Sequence, residues 1–121
     1  MAEAINRSWT HWFGIPVSNF DRAKTFYETI YNMKIDSVEA GALKMGIFSH
    51  SGAGDAIFFG EDYTPGPAGL VIYLDANPNL DKVESAGGEV LQTKKPISEE
   101  HGFMSLFLDS EGNRIALNSM T

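Results

Sequence analysis

Two stretches of the chain, LKMGIFSHSGAGDAIFF (43–59) and FMSLFLDSEGNRIALNS (103–119), align without a gap, and their reading decides the fold. Each is an apolar run, a short turn rich in glycine and small polar residues, and a second apolar run, which is the pattern of a β-hairpin. The first turn, HSGAG (50–54), has glycines enough for a phosphate loop, but no helix follows to present its N-terminus. In the second, Asp109, Glu111 and Asn113 are spaced like the opening of a calcium loop. Such a loop needs glycine at its sixth position and glutamate at its twelfth. Counted from Asp109, Gly112 is fourth and Met120 twelfth, so both segments read as turns.

Working outward, the same elements precede each hairpin. WTHWFGIPV (9–17) is aromatic and β-branched on both faces and reads as a buried strand closed by Pro16. Phe20, Ala23, Phe26, Tyr27, Ile30 and Met33 then recur at helical spacing, predicting a helix over 19–33 with Ser18 and Asp21 as a capping box. KIDSVE (34–39), ALKMGIFS (42–49) and DAIFFGED (55–62) read as strands. After the Pro/Gly-rich YTPGPAG (63–69) the order repeats. LVIYLDA (70–76) is a strand; Asn77-Pro78 starts a short helix with Leu80, Val83 and Ala86 on one stripe, stopped by Gly87. GEVLQTK (88–94), GFMSLFLD (102–109) and NRIALNSM (113–120) complete the set.

The expected fold is therefore α+β: two βαβββ modules, 8–62 and 70–121, joined by the linker 63–69 in a single domain over 1–121. One module leaves a sheet face uncovered; two side by side make an open, curved, eight-stranded mixed sheet.

Composition narrows the function. The net charge of −7 argues against nucleic acid as a partner, because phosphate binding needs a basic footprint. No apolar run reaches the roughly 18 residues of a membrane span. MAEAINRSW (1–9) has no apolar signal core, so the expected compartment is the cytoplasm and the sequon at Asn6 reads as chance. The chain has no cysteine, which removes disulfides, thiolate nucleophiles and zinc–sulfur sites.

WFGIPVSNFDRAKTFYE (12–28) at one end, with AGGEVL (86–91) and HGFMSLFLDSEGNRIAL (101–117) at the other, resembles the glyoxalase/bleomycin-resistance/dioxygenase superfamily, the vicinal oxygen chelate fold. The likeness runs over essentially the whole chain. In metal-using members of that family, four inward-facing strand positions carry His, Gln or Glu. The resemblance places them here at Trp12, Phe59, Val71 and Ala116, none of which ligates a divalent ion. A register slip of one brings His11 inward but assembles no set of three donors. The expectation is the fold and its cavity without a metal or other cofactor.

Trp12 and Phe59 would then either fill that space as core or form a wall for a flat ligand. Tyr73, Glu61, Asp75 and Asn118 lie one or two positions towards the strand ends and would ring the mouth, the carboxylates favouring cationic guests. His101, between Glu100 and the seventh strand, is the candidate general acid or base, set against a plain solvated histidine. His11 and His50 read as a strand histidine and a turn histidine.

Two functions of different class follow. One is a metal-free binding protein for a small flat organic molecule, like the drug-sequestering members. The other is an enzyme of the glyoxalase, dioxygenase or epimerase type, a lyase or isomerase using His101 or an unrecognised metal site. A third, an accessory subunit borrowing the fold for association, is the weakest. The exposed sheet edges and the family likeness imply a homodimer.

Overall fold

The alternation that marks the hairpins also fixes how they pair. In a computed structural model describing residues 12–50, 54–68, 70–75 and 80–120, the chain runs β1 (Trp12–Pro16), α1 (Phe20–Tyr31), β2 (Asp36–Ala40), β3 (Leu43–Ile47), β4 (Gly54–Phe59), β5 (Ile72–Asp75), α2 (Lys82–Ser85), β6 (Glu89–Ser98), β7 (Gly102–Leu108) and β8 (Arg114–Ser119). This is the βαβββ order twice. The strands form two four-stranded sheets, β1-β4-β3-β2 and β5-β8-β7-β6, each mixed and open. In both, the first strand pairs in parallel with the fourth, Ile15 opposite Ile57 and Leu74 opposite Leu117.

The gapless alignment of the two hairpins holds in their second strands and slips in their first. Phe48 donates its N–H to the Asp55 carbonyl (3.0 Å), whereas Phe107 lies opposite Ile115. The second turn is therefore one residue longer, and Phe48 corresponds to Phe107 rather than Leu108.

α1 carries its apolar stripe as expected. Phe20, Ala23, Phe26, Tyr27 and Ile30 are all buried. They meet Ile15 and Ile57 of the first sheet and Phe107, Ile115 and Leu117 of the second, with Val83 of α2, in one core that both modules share. The Phe26 and Phe107 rings lie 6.0 Å apart and those of Tyr27 and Phe48 5.3 Å apart. Burying a ring such as Phe26 stabilises the fold by about 2–3 kcal/mol.

The start of α1 departs from the capping box. Asn19, not Ser18, is the N-cap, its side chain accepting the Arg22 N–H. Ser18 is engaged elsewhere: its N–H and hydroxyl both donate to Glu111 Oε1 at 3.0 Å. The helix stops at Asn32, in the left-handed region at φ 51°, whose N–H closes on the Glu28 carbonyl. α2 is a single turn ended by Gly87 at φ 109°. The expected start of that helix at Asn77-Pro78, and residues 9–11 of the first strand, lie outside the described residues. No helix among the described residues is long and apolar enough to cross a membrane.

Candidate functional site

β1 has one edge bonded to β4 and the other unpaired, as β5 has beside β8. Between these two edges runs a cavity of about 490 Å³, lined by Trp12 to Pro16 of β1, Gly66 and Leu70 of the connecting segment, Ile72 of β5, and Asn113, Arg114 and Ile115. Both faces of β1 contribute, which is the geometry of a cleft along a strand edge rather than over a sheet face. Its size is within the roughly 300–1,000 Å³ of small-molecule sites.

Side-chain alternation sets its walls. Ile15 and Val17 turn into the core, so Trp12, Gly14 and Pro16 face the opposite side. Trp12 is 39% exposed; its ring meets that of His50 edge-on at 5.3 Å and crosses Gly54, where a Cβ would collide with the indole. Arg114 is exposed at the start of β8, and its guanidinium has no hydrogen bond or ion pair among the described residues.

The turn before β8 closes one end. Asn113 donates through Nδ2 to the Pro16 carbonyl (2.7 Å) and accepts the Gly66 N–H (3.0 Å), tying β1 and the linker to the turn. Asp109 accepts from the N–H groups of Glu111 (2.8 Å) and Asn113 (2.9 Å), from Asn113 Nδ2 (3.1 Å) and from the Tyr27 hydroxyl (2.7 Å). Burial raises the Asp109 carboxyl despite those donors, and burial with the neighbouring Asp109 holds the Tyr27 hydroxyl well above its ordinary range.

Glu111 reaches from the same turn to the start of α1. It accepts from Asn19 N–H (2.8 Å), from Ser18, and from Arg22 at both oxygens (Nε to Oε2 2.7 Å, Nη2 to Oε1 3.0 Å). Burial alone would raise this carboxyl; the hydrogen bonds from Arg22, Asn19, Ser18 and Ser110 outweigh it and hold the group at about 2. An anion over the first turn is where the helix dipole favours one.

Among the candidate site residues that are described, only Trp12 lines the cavity. Phe59 lies two residues after Ile57 and so shares its face, turned towards α1, opposite Lys44, while Phe58 shares the Trp12 side and packs against Gly14. The aromatic run DAIFF hides which residue points where. Tyr73, 55% exposed, lies opposite buried Ala116, and Asp75 lies opposite Asn118, so β5 and β8 bring these four side by side. Val71 is half-buried just before β5, and Glu61 is exposed in the turn after β4. Asn118 donates to the carbonyls of His101 (2.9 Å) and Phe103 (3.1 Å), closing the β6–β7 turn. His101 is exposed in that turn, its Nδ1 2.9 Å from Ser98 Oγ. It does not line this cavity. Sequence reasoning missed Asn113 and Arg114 as lining residues; the alternation Arg114, Ala116, Asn118 was the available signal.

The positions that the family likeness assigns to metal ligands carry no donor side chain among the described residues. Register makes Ala56, opposite Gly14, the first-module counterpart of Ala116, opposite Tyr73. Trp12, Val71, Ala56 and Ala116 offer no side-chain donor. Among the described residues no three His, Cys, Asp or Glu side chains gather in one place. His11 lies outside them.

No protein-family model and no curated protein matches the sequence. Solved structures do match. A hypothetical protein from S. aureus is 20% identical, with a TM-score of 0.65 over 93% of this chain and 95% of that one. A fosfomycin resistance protein from Listeria monocytogenes, solved as a mutant with Mn(II) and a dihydroxypropylphosphonic acid, is 16% identical, with a TM-score of 0.61 over 95% of this chain and 92% of that one. A glyoxalase/bleomycin resistance protein/dioxygenase family enzyme from Burkholderia phytofirmans is 13% identical, with a TM-score of 0.60 over 92% and 98%. The chain thus has the glyoxalase/bleomycin resistance/dioxygenase fold that the order and spacing of its sequence elements led us to expect.

Proposed function

We propose that this chain binds a small, flat organic molecule in the cavity between β1 and β5–β8, reversibly and without a metal held by the protein. The observation that carries the reading is the pairing of Trp12 and Arg114 in one cavity lined otherwise by apolar side chains, glycine and Asn113. An indole offers a face for a planar body. A guanidinium without a side-chain partner among the described residues offers a fork for a carboxylate or another planar acceptor. The expected preference for cationic guests rested on Glu61 and Asp75, which are not in the lining; Arg114 reverses it towards anionic or acceptor-bearing guests. Apolar burial supplies about 25 cal/mol per Å² before association costs.

Tryptophan emission titrated with aromatic monocarboxylates tests this, with Trp12→Phe separating Trp12 from Trp9. The expected result is saturable quenching in the wild type, lost in Trp12→Phe and at least tenfold weaker in Arg114→Gln. Equal responses from all three proteins, or turnover of a substrate that His101→Ala abolishes, overturn the reading.

We propose a homodimer as the assembly. Val38 on β2 and Leu91 and Ile97 on β6 are exposed along the outer sheet edges. Light scattering giving the mass of one chain at micromolar concentration would count against it.

A further inference from the structure

A second cavity, of about 190 Å³, lies at the far end of α1, lined by Tyr31, Met33, Phe48, His50, Leu74 and Asp75 around the side chain of Asp55. It is built from both modules, and the Tyr31 hydroxyl bridges them by donating to the Asp75 carbonyl (2.5 Å). Asp55 is the second residue of β4 and shares the core-facing side with Ile57. Only 8% of it is exposed. Its Oδ1 accepts the Ala56 N–H (2.7 Å), but its buried Oδ2 has no hydrogen-bond partner among the described residues.

Such an oxygen is costly. A buried polar atom without a partner gives up the hydrogen bonds that water would supply, a loss that is greater when it is charged, and native structures seldom keep one without use. An apolar residue would pack here more cheaply. The surroundings say what the missing partner is. Met33, Phe48 and Leu74 supply an apolar floor, Tyr31 and His50 supply rings, and among the described residues no lysine or arginine lines the space. A donor with a short apolar body fits each feature, and a carboxylate makes its strongest hydrogen bonds to a charged donor.

The geometry points to a second ligand site, in which Asp55 Oδ2 receives the ammonium group of a small protonated amine whose hydrocarbon part lies on Met33, Phe48 and Leu74. This site is separate from the seam cavity and shares no lining residue with it. Trp12 reports on both, because its ring meets that of His50.

The test is calorimetric titration with n-butylammonium at pH 8, with n-butanol as the neutral analogue. The expected result is saturable binding of the amine, at least tenfold tighter than the alcohol, and at least tenfold weaker in Asp55→Asn. Ser49→Trp, at an exposed rim position, blocks the cavity while leaving the carboxyl intact, and is expected to abolish binding even should Asp55→Asn fold poorly. Equal affinity for amine and alcohol, unchanged binding in Ser49→Trp, or no binding of the amine to the wild type overturns the proposal.

Discussion

Glu111→Gln removes one charge and leaves the side chain the same size. In the wild type that carboxylate is shielded from solvent, its side chain 0% exposed, and holds Ser18, Asn19 and Arg22 together. Its carboxyl sits at about 2 instead of the ordinary 4.5. At about 1.4 kcal/mol per pH unit, that difference favours the ionised form by about 3 kcal/mol. Arg22 is 53% exposed, so water screens its share, and we take about 2 kcal/mol as the expected cost of the substitution at pH 7. The amide also sets its own N–H groups against Arg22. Urea unfolding of both proteins from pH 7 to pH 2 measures the effect. A lowered folded-state value means the contribution is present above 4.5 and lost as pH falls through about 2, so the gap should close over that window. Other titrating groups act on both proteins and cancel. A gap below about 0.5 kcal/mol at pH 7, or one that does not narrow in acid, refutes the assigned role.

Tyr27→Phe takes the hydroxyl from Asp109 Oδ2, leaving Asn113 Nδ2 as its donor; the expected loss is about 1–2 kcal/mol in urea unfolding. Gly102→Ala forces a side chain onto φ 71° and into the Ser119 carbonyl, so it should cost more than about 2 kcal/mol by thermal melting. Gly112→Ala, at φ 82° but in open space, is the control and should cost about 1 kcal/mol. Burial holds the Asp55 carboxyl at about 7 against 3.8, so its contribution is full below 3.8 and disappears as pH rises through about 7. Relative to Asp55→Asn, the wild type should therefore lose about 2–3 kcal/mol between pH 5 and pH 8.

What local chemistry decides was readable in advance. The α1 stripe, the stop at Gly87 and the Gly112 turn each follow from spacing within a few residues. The repeated hairpin gave the two-module plan. What the sequence withheld depends on partners far away in the chain. Phe58 and Phe59 are both aromatic, so only pairing with β1 and β3 shows which one joins Trp12. Ser18 looked like a cap because nothing nearby discloses that Glu111 claims it. Asp55 heads an apolar run, where a carboxylate reads as solvated until Tyr31 and Leu74 are seen to cover it. The seam cavity belongs to two strand edges that never pair, so Arg114 entered no expected lining.

The Glu111 clamp also bears on the order in which the chain acquires structure. Arg22 and the acid that anchors it are separated by 89 positions. During synthesis, α1 emerges with its first turn facing water and no counter-charge, and Glu111 arrives only once the second hairpin has formed its turn. A twelve-residue helix alone is marginal in water. The first module should accordingly reach the folding barrier with α1 nucleated through Phe26 and Ile30 and its N-terminal turn still frayed. Substitutions at Glu111 should then leave the folding rate nearly untouched and accelerate unfolding instead, placing the lifetime of the native state under the control of a turn that forms last.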